Sequence, residues 1–330
     1  MLDYQFIWNS FNSLHSANTT QVFLNNCYKT IGVEDPEKKS YQNCYPFIYY
    51  LEHGQNYYQL ALQSPLSIKP VLLFYGMIQL LKACLLTVDP QYPESTSVLA
   101  HGVTTRKRKK QSYEFLSDEV KVQKNGLFTH FSQQMFHMKH LEGEKYTMVD
   151  LLKRLPELEN LFFLHSGSKV SVPIGASSET LLKVPIEIID SYHMTANRFI
   201  DFFVETLATK VEPQNDGNND TDFLSFKLSN NKVLTPLTCS PLHFHLYEKK
   251  YYLPKEREQY STFHEVMVHY LLLYNLSMIS RYETEWWSEL LHSYSTNDYP
   301  FIRQFLEITT DKVPYLLYLF LQEKIDINMV

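Results

Sequence analysis

Glycine is scarce in this chain, with only 9 glycines among 330 residues. The glycine-rich patterns of phosphate-binding loops, GxGxxG and GxxxxGK followed by Ser or Thr, do not occur. The nucleophile-elbow pattern GxSxG is missing as well. The sequence therefore carries none of these common signatures of nucleotide-binding or hydrolase folds, and so little glycine also argues against collagen-like and turn-dense all-β folds.

Cysteine is also rare, with 4 residues and no CxxC pair. A chain of this length can build a large core without disulfides, so we expect reduced thiols and a cytoplasmic location. The opening residues MLDYQFIW contain an acidic residue and no basic region, which predicts no signal peptide. The most apolar stretch, residues 71–88, is interrupted by Gln79 and Lys82 and predicts a buried core helix without membrane contact.

Aromatic side chains are abundant, with 24 tyrosines and 21 phenylalanines. Hydrophobic residues make up 44% and charged residues 20%, which is typical of a folded core. The net charge of −6 excludes a globally basic nucleic-acid binder but leaves room for a local basic site. His243 and His245 have Cys239 four residues earlier but no well-placed Asp or Glu nearby, and a zinc site needs three or four ligands, so we expect no metal and no cofactor.

The order of helical and strand-like patterns predicts an α+β protein in which helices dominate. The main helices are expected at about residues 40–62, 65–89, 261–281 and 299–323. Strands are expected at about residues 169–174 and 181–188 and within 242–254. The pair Asn125-Gly126, between alternating residues, predicts a further β-hairpin.

This order also predicts how the chain is divided. Residues 1–110 are expected to form an N-terminal helical part and residues 111–257 a β-containing middle lobe. Residues 258–330 are expected to form C-terminal helices that pack on the N-terminal part. The prediction is thus a helical bundle built from both chain ends, with an inserted middle lobe.

A run of five cations, Arg106 to Lys110, is the most conspicuous local feature. Residues 101–125 hold seven cations against three acids, a local charge of +4. Such a segment can attract phosphate, and His101 just ahead of it would add a titratable ring. The alternative is a solvated connector. The residues of the run that we predict to bind a ligand are Arg106, Lys107 and Arg108.

A second feature is the segment SRYETEWWSELL, Ser280–Leu291. Arg281 lies at the end of an apolar helical pattern and is followed by Trp286 and Trp287. Arginine stacked on aromatic rings builds either a corner of the core or a platform for a ligand. We include Arg281, Trp286 and also Lys69, at the start of the other apolar helix, in the predicted ligand site.

Three blocks of the sequence carry a family resemblance: LSIKPVLLFYGMIQLLKACLL, AHGV followed by the basic stretch, and SMISRYETEWW. In this order and spacing they resemble the YaaC-like family of bacterial proteins over most of the chain. This resemblance implies no particular activity. The helices that carry YY and KPxLLxY are also similar to the HEPN superfamily of four-helix proteins, many of which cut RNA or are linked to nucleotides.

The HEPN-like resemblance implies a pair of candidate catalytic residues. HEPN nucleases carry an arginine and a following histidine with four to six residues between them, and the match here is Arg257 with His264, which have six residues between them. Glu258 stands where that motif prefers Asn, Asp or His, which is a departure from the pattern. Together with His101, this pair supplies the candidates for catalysis, and whether the chain is an enzyme stays open.

Two classes of function stay open at this point. The first is a nucleotide- or nucleic-acid-associated protein that acts through the basic segment, with a nucleotide or RNA as its partner. The second is a non-enzymatic protein–protein interaction module that docks a protein partner in aromatic grooves. The sequence does not predict the oligomeric state.

Overall fold

The computed structural model describes residues 4–105, 113–178, 180–214, 222–229, 233–294 and 296–327. Over these residues helices dominate and the strands form two antiparallel sheets, which confirms the helix-dominated α+β class. The helices are α1 (Tyr4–Asn12), α2 (Ala17–Thr30), α3 (Pro36–Gln63), α4 (Lys69–Leu86), α5 (Leu127–Phe136), α6 (Met148–Leu152), α7 (Glu159–Ser166), α8 (Ile188–Ser191), α9 (Ala196–Thr206), α10 (Glu265–Tyr282), α11 (Thr284–Ser293) and α12 (Asp298–Ile327). The strands are β1 (Val103–Thr105), β2 (Glu119–Val122), β3 (Lys145–Thr147), β4 (Ser171–Ser178), β5 (Leu181–Pro185), β6 (Val211–Gln214), β7 (Phe223–Leu228), β8 (His243–His245) and β9 (Lys250–Pro254).

The chain divides into two compact units. The first unit contains Met1–Met148 and His269–Val330, and the second contains Val149–Val268. Both chain ends therefore contribute to one helical unit, as predicted. The predicted borders of the middle lobe were residues 111 and 257, whereas the units divide at 148 and 268.

Helix α4 lies in the core of the first unit. By length and composition it could cross a membrane, but 67% of this stretch is buried inside the protein, as in the core helix that we predicted. Phe74 of α4 contacts Tyr270 and Tyr274 of α10, with ring centroids 5.3 and 5.7 Å apart. The Cys84 thiol lies 3.8 Å from the carbonyl of Leu317 in α12. These contacts confirm that helices from both chain ends share one core.

Helices α3 and α4 approach each other closely at two glycines. A Cβ atom added to Gly76 would lie 2.9 Å from the ring of Tyr58 and 3.0 Å from the Cβ of Tyr57. A Cβ atom added to Gly54 would lie 2.7 Å from a methyl group of Leu80. The missing side chains thus allow the close packing that fixes the register between these two helices.

The first unit also contains a small sheet of order β1-β2-β3. The hairpin predicted at Asn125-Gly126 is wrong, because Gly126 directly precedes α5 and the chain there buries side chains at helical spacing. Gly126 has φ 140° and packs against Gly102, which has φ 77°. A Cβ atom on Gly126 would lie 2.3 Å from the Cα of Gly102, so this contact requires glycine. The strand that does pair with β2 is β1.

The second unit contains a six-stranded antiparallel sheet of order β6-β7-β5-β4-β9-β8. Strands β4 and β5 lie where the sequence predicted them, and β8 and β9 pair as the predicted hairpin. Helix α9 buries Phe199 and Phe203, and the Phe203 ring lies 4.6 Å from the ring of Phe226 in β7.

Candidate anion-binding site

The core of the first unit covers most of helix α4 but leaves one face of it partly exposed. Twelve residues of this helix are buried, whereas Tyr75, Gln79 and Lys82 are only half-buried. Their spacings of four and three residues place them on one face of the helix, along about 10 Å of its axis. We call these three residues the α4 stripe.

Helix α3 supplies aromatic rings along one side of the α4 stripe. The ring of Tyr57 stacks on that of Tyr75, with centroids 6.2 Å apart and an interplanar angle of 28°. The ammonium of Lys82 lies 5.5 Å from the centre of the Tyr50 ring. Because α3 and α4 run antiparallel, Tyr57 meets Tyr75, and Tyr50, seven residues earlier on α3, meets Lys82, seven residues later on α4.

Helix α10 brings the guanidinium of Arg281 to the same stripe. Its Nη1 donates to the hydroxyl of Tyr75 at 3.3 Å, and its Nε donates to the carbonyl of Ser277 at 2.9 Å. The guanidinium carbon also lies 5.9 Å from the centre of the Tyr75 ring. Within the described parts of the chain, no carboxylate lies within ion-pair distance of Arg281. A guanidinium has five N–H donors, so this one is held in place with donors to spare.

His101 completes the cluster. Its ring lies 5.2 Å from that of Phe74 and 5.5 Å from that of Tyr274. Burial lowers the pKa of His101, and the charges of Arg281 and Lys82 lower it further. A lowered pKa favours the neutral imidazole, and the ring lies 6.4 Å from that of Tyr75, which the Arg281 guanidinium contacts. Lys82, His101 and Arg281 are referred to below as the cation cluster.

The position of His101 is fixed by backbone hydrogen bonds. Its carbonyl accepts from the Tyr270 hydroxyl at 2.9 Å and from the backbone amide of Phe128 at 3.1 Å. The next residue, Gly102, is locked against Gly126 as described above. The imidazole is thus placed by tertiary contacts of its backbone and by the aromatic rings around it.

The predicted basic run Arg106–Lys110, with Arg106, Lys107 and Arg108, lies outside the described residues. The chain that follows it is firmly held. The Tyr113 hydroxyl donates to Asp118 at 2.6 Å, and the Tyr113 ring packs edge-to-face on Trp286 at 4.6 Å. Trp286, which was predicted to be a ligand platform, therefore packs against the segment that begins at Tyr113.

A buried carboxylate at the start of α12 holds the same segment. Asp298 accepts from the backbone amides of Phe115 and Leu116 at 2.9 and 3.1 Å. Burial raises the pKa of Asp298, and the two amides partly oppose that effect.

The other predicted residues lie elsewhere along the chain. Lys69 is the first residue of α4 and half-buried, about 9 Å along the axis from Tyr75. Arg257 and His264 belong to the second unit. Arg257 is exposed and lies over the ring of Phe202 at 5.6 Å.

His264 is buried, and its Nδ1 accepts from the backbone amide of Val266 at 3.2 Å. Burial lowers the pKa of His264 to about 3. Arg257 of the HEPN-type pair is thus exposed, whereas the Nδ1 of His264 already accepts a hydrogen bond at the start of α10.

Four tyrosines of the site were not predicted from the sequence: Tyr50, Tyr57, Tyr75 and Tyr274. Lys82 was predicted only to interrupt an apolar run. The available signal was the helical spacing of the polar residues within the α4 pattern. In the described residues, no group of three or more His, Cys, Asp and Glu side chains is arranged to hold a metal ion.

The fold and the site define a helix-dominated α+β protein with a partly buried cation cluster lined by tyrosines. The chain belongs to the YaaC-like family, since the family model described as YaaC-like Protein matches residues 12–321. No curated protein and no solved structure matches the chain.

Proposed function

We propose that the protein binds the phosphate of a nucleotide or of RNA at the cation cluster. The observation that carries the proposal is that Arg281 and His101 both lie against Tyr75, with Lys82 on the same face of α4, and that no carboxylate among the described residues forms an ion pair with them. Such an arrangement produces a local positive potential in a chain of net charge −6.

The surroundings of the cluster suit a nucleotide better than a bare anion. Arginine can hold two phosphate oxygens at once, and tyrosine rings offer faces on which a base can stack. The basic run Arg106–Lys110 begins five residues after His101 in the sequence and adds further cations to this part of the chain. The HEPN-like resemblance, with its nucleotide-linked members, agrees with this proposal.

Binding of inorganic phosphate, AMP and a short single-stranded RNA to the full chain would test the proposal, with isothermal calorimetry as the assay. We expect Arg281→Gln to weaken binding at least tenfold, because a hydrogen bond to a charged group contributes about 1.5–3 kcal/mol. Arg303→Gln is the matched control, since Arg303 is exposed and its nearest acid is Glu307 at 3.3 Å.

The control variant removes the same charge from α12 and should bind like the wild type. Raising the salt concentration should weaken binding, because phosphate contacts are screened. The proposal is wrong if none of the three ligands binds at low salt, or if both variants lose affinity equally.

A second candidate function is docking of a protein partner. Helix α3 exposes Tyr41, Tyr45 and Tyr49 at spacings of four residues, and the last two rings are 6.2 Å apart. Exposed tyrosines in a row are typical of interaction surfaces. Replacing all three with Gln should then abolish co-purification of a bound protein without changing the affinity for phosphate.

A further inference from the structure

The exposed face of helix α3 carries a row of residues that lies outside the core of the first unit. Tyr41, Tyr45 and Tyr49 are each more than half exposed. Lys38 and Glu52 lie three residues beyond the two ends of the tyrosine row and are exposed as well. Since each residue turns a helix by about 100°, all of these side chains lie within about 40° of the direction of Tyr45. We call these five residues the α3 row.

The α3 row has the same spacing in both directions from Tyr45, and its two ends carry opposite charges. The spacings are three, four, four and three residues. When two copies of α3 cross antiparallel at Tyr45, each position therefore meets the position at equal distance on the other side of the centre. Tyr45 then meets Tyr45, and Tyr41 meets Tyr49. At each end of the row, Lys38 of one copy meets Glu52 of the other.

The charged positions beside the row fit the same two-fold arrangement. Glu37 and His53 are exposed and lie eight residues to either side of the centre, so the carboxylate of one copy would meet the imidazole of the other. Residues 37–53 hold two lysines and two glutamates, a local charge of zero in a chain of net charge −6. Within the described residues, neither Lys38 nor Glu52 forms an ion pair. Both charges can therefore pair across an interface.

A row that matches its own reverse fits a second copy of the chain better than an unrelated protein. Two-fold symmetric dimers are the commonest oligomers, and their interface must be complementary to itself. Tyrosine is enriched at interfaces, because its ring is apolar and its hydroxyl can stay in contact with water. The end charges also select the antiparallel direction, since a parallel pair would place Lys38 against Lys38 and Glu52 against Glu52.

We propose that the protein forms a two-fold symmetric dimer through the α3 row, with the two helices antiparallel and crossing at Tyr45. The proposal rests on the docking function given above as the second candidate, and it names a second copy of this chain as the partner. It does not depend on phosphate binding, because Tyr50 and Tyr57, which line the α4 stripe, lie about 120° or more away from Tyr45 around α3.

Sedimentation equilibrium of the full chain at low salt, from about 1 to about 200 µM, would measure the association. The row extends over about 21 Å, so the contact is small and a dissociation constant in the micromolar range is expected. Lys38→Glu or Glu52→Lys alone places like charges together at both ends of the row, so each should weaken the dimer at least tenfold. Lys139→Glu, at an exposed position outside α3, is the matched control and should associate like the wild type.

The two charge reversals also predict a rescue. An equimolar mixture of Lys38→Glu and Glu52→Lys chains should form mixed dimers as tightly as the wild type, because every reversed position then meets an opposite charge. The double variant, with both reversals in one chain, should associate with itself again for the same reason. Neither result is expected if the single variants weaken association by disturbing the fold.

A variant at the centre of the row tests the position of the two-fold axis. Tyr45→Glu would place two carboxylates against each other there and should leave the chain monomeric over the whole concentration range. Tyr247→Glu, at an equally exposed tyrosine of the second unit, should not change the association. Circular dichroism and thermal melting would show that all the variants fold.

The proposal is overturned if the wild type stays monomeric at about 200 µM, or if the mixture and the double variant associate no better than the single variants. A dimer that Tyr45→Glu leaves intact would also overturn it, because that dimer uses another surface. A monomeric wild type that loses a different bound protein when the three tyrosines are replaced would overturn it and leave the docking function standing. Phosphate affinity, measured in the same samples, should be equal for all the variants and tests the proposed function separately.

Discussion

Replacing His264 with asparagine should remove a pH dependence from the stability of the second unit. His264 is buried, and its pKa is lowered to about 3 by burial, an effect that the backbone of Leu237 partly offsets. In the unfolded chain the same imidazole has a pKa of about 6.5. Between these two values the unfolded state binds more protons than the folded state, so stability falls as the pH falls.

The magnitude follows from the width of that window. One pKa unit corresponds to about 1.4 kcal/mol, so acidification from about pH 7.5 to about pH 5.0 should cost the wild type about 2 kcal/mol through this group alone. Asparagine does not titrate and still offers an acceptor to the Val266 amide, as a good N-cap residue does. The variant can be less stable at every pH, but it should lack this part of the slope.

Urea unfolding at several pH values, followed by circular dichroism, would measure the slope. All three tryptophans, Trp8, Trp286 and Trp287, lie in the first unit, so their fluorescence reports on that unit separately. His292→Asn, at an exposed position of α11, is the control and should keep the wild-type slope. Equal slopes for the wild type and His264→Asn would refute the argument and return His264 to the catalytic candidates.

Three further outcomes are expected. Gly76→Ala should lower the free energy of unfolding by about 1–3 kcal/mol, because the added methyl group would overlap the buried Tyr58 ring. Gly175→Ala is the control and should change stability much less, because the added methyl group would lie 3.4 Å from its nearest neighbour. Asp298→Ala should cost about 2–5 kcal/mol in urea unfolding, because two backbone amides lose their acceptor; a smaller loss than 1 kcal/mol would show that water replaces the carboxylate. Sulfate, which stays fully ionised, should bind more tightly as the pH falls below 7, because His101 gains a proton beside the anion. The affinity should rise by up to about tenfold per pH unit. His101→Asn should abolish this pH dependence in calorimetry.

Helices with one uniform hydrophobic pattern along their length were predictable from the sequence. The apolar run from Lys69 to Leu86 is long enough to exclude a strand, and its composition marks it as a core helix. Strands β4 and β5 were also predictable, since β-branched and apolar residues occur there in short alternating runs. These patterns depend only on local periodicity, which tertiary contacts did not override.

The hairpin at Asn125-Gly126 shows where local patterns fail. The dipeptide is typical of a tight turn, but here Gly126 serves a close backbone contact with Gly102, 24 positions earlier in the sequence. No residue near Gly126 in the sequence indicates that contact. The burial of Phe128 and Phe131 on one helical face then decides in favour of α5.

By itself, the sequence determined the helix-dominated class, the joining of both chain ends in one unit and two members of the cation cluster, His101 and Arg281. Only the tertiary structure decided that Lys82 is their neighbour and that tyrosines from three helices surround them. The physical reason is that side chains far apart in sequence meet only after α3, α4 and α10 pack. The register of that packing is set in part by two glycines, Gly54 and Gly76, whose missing side chains bring α3 close enough to α4 for Tyr57 to stack on Tyr75.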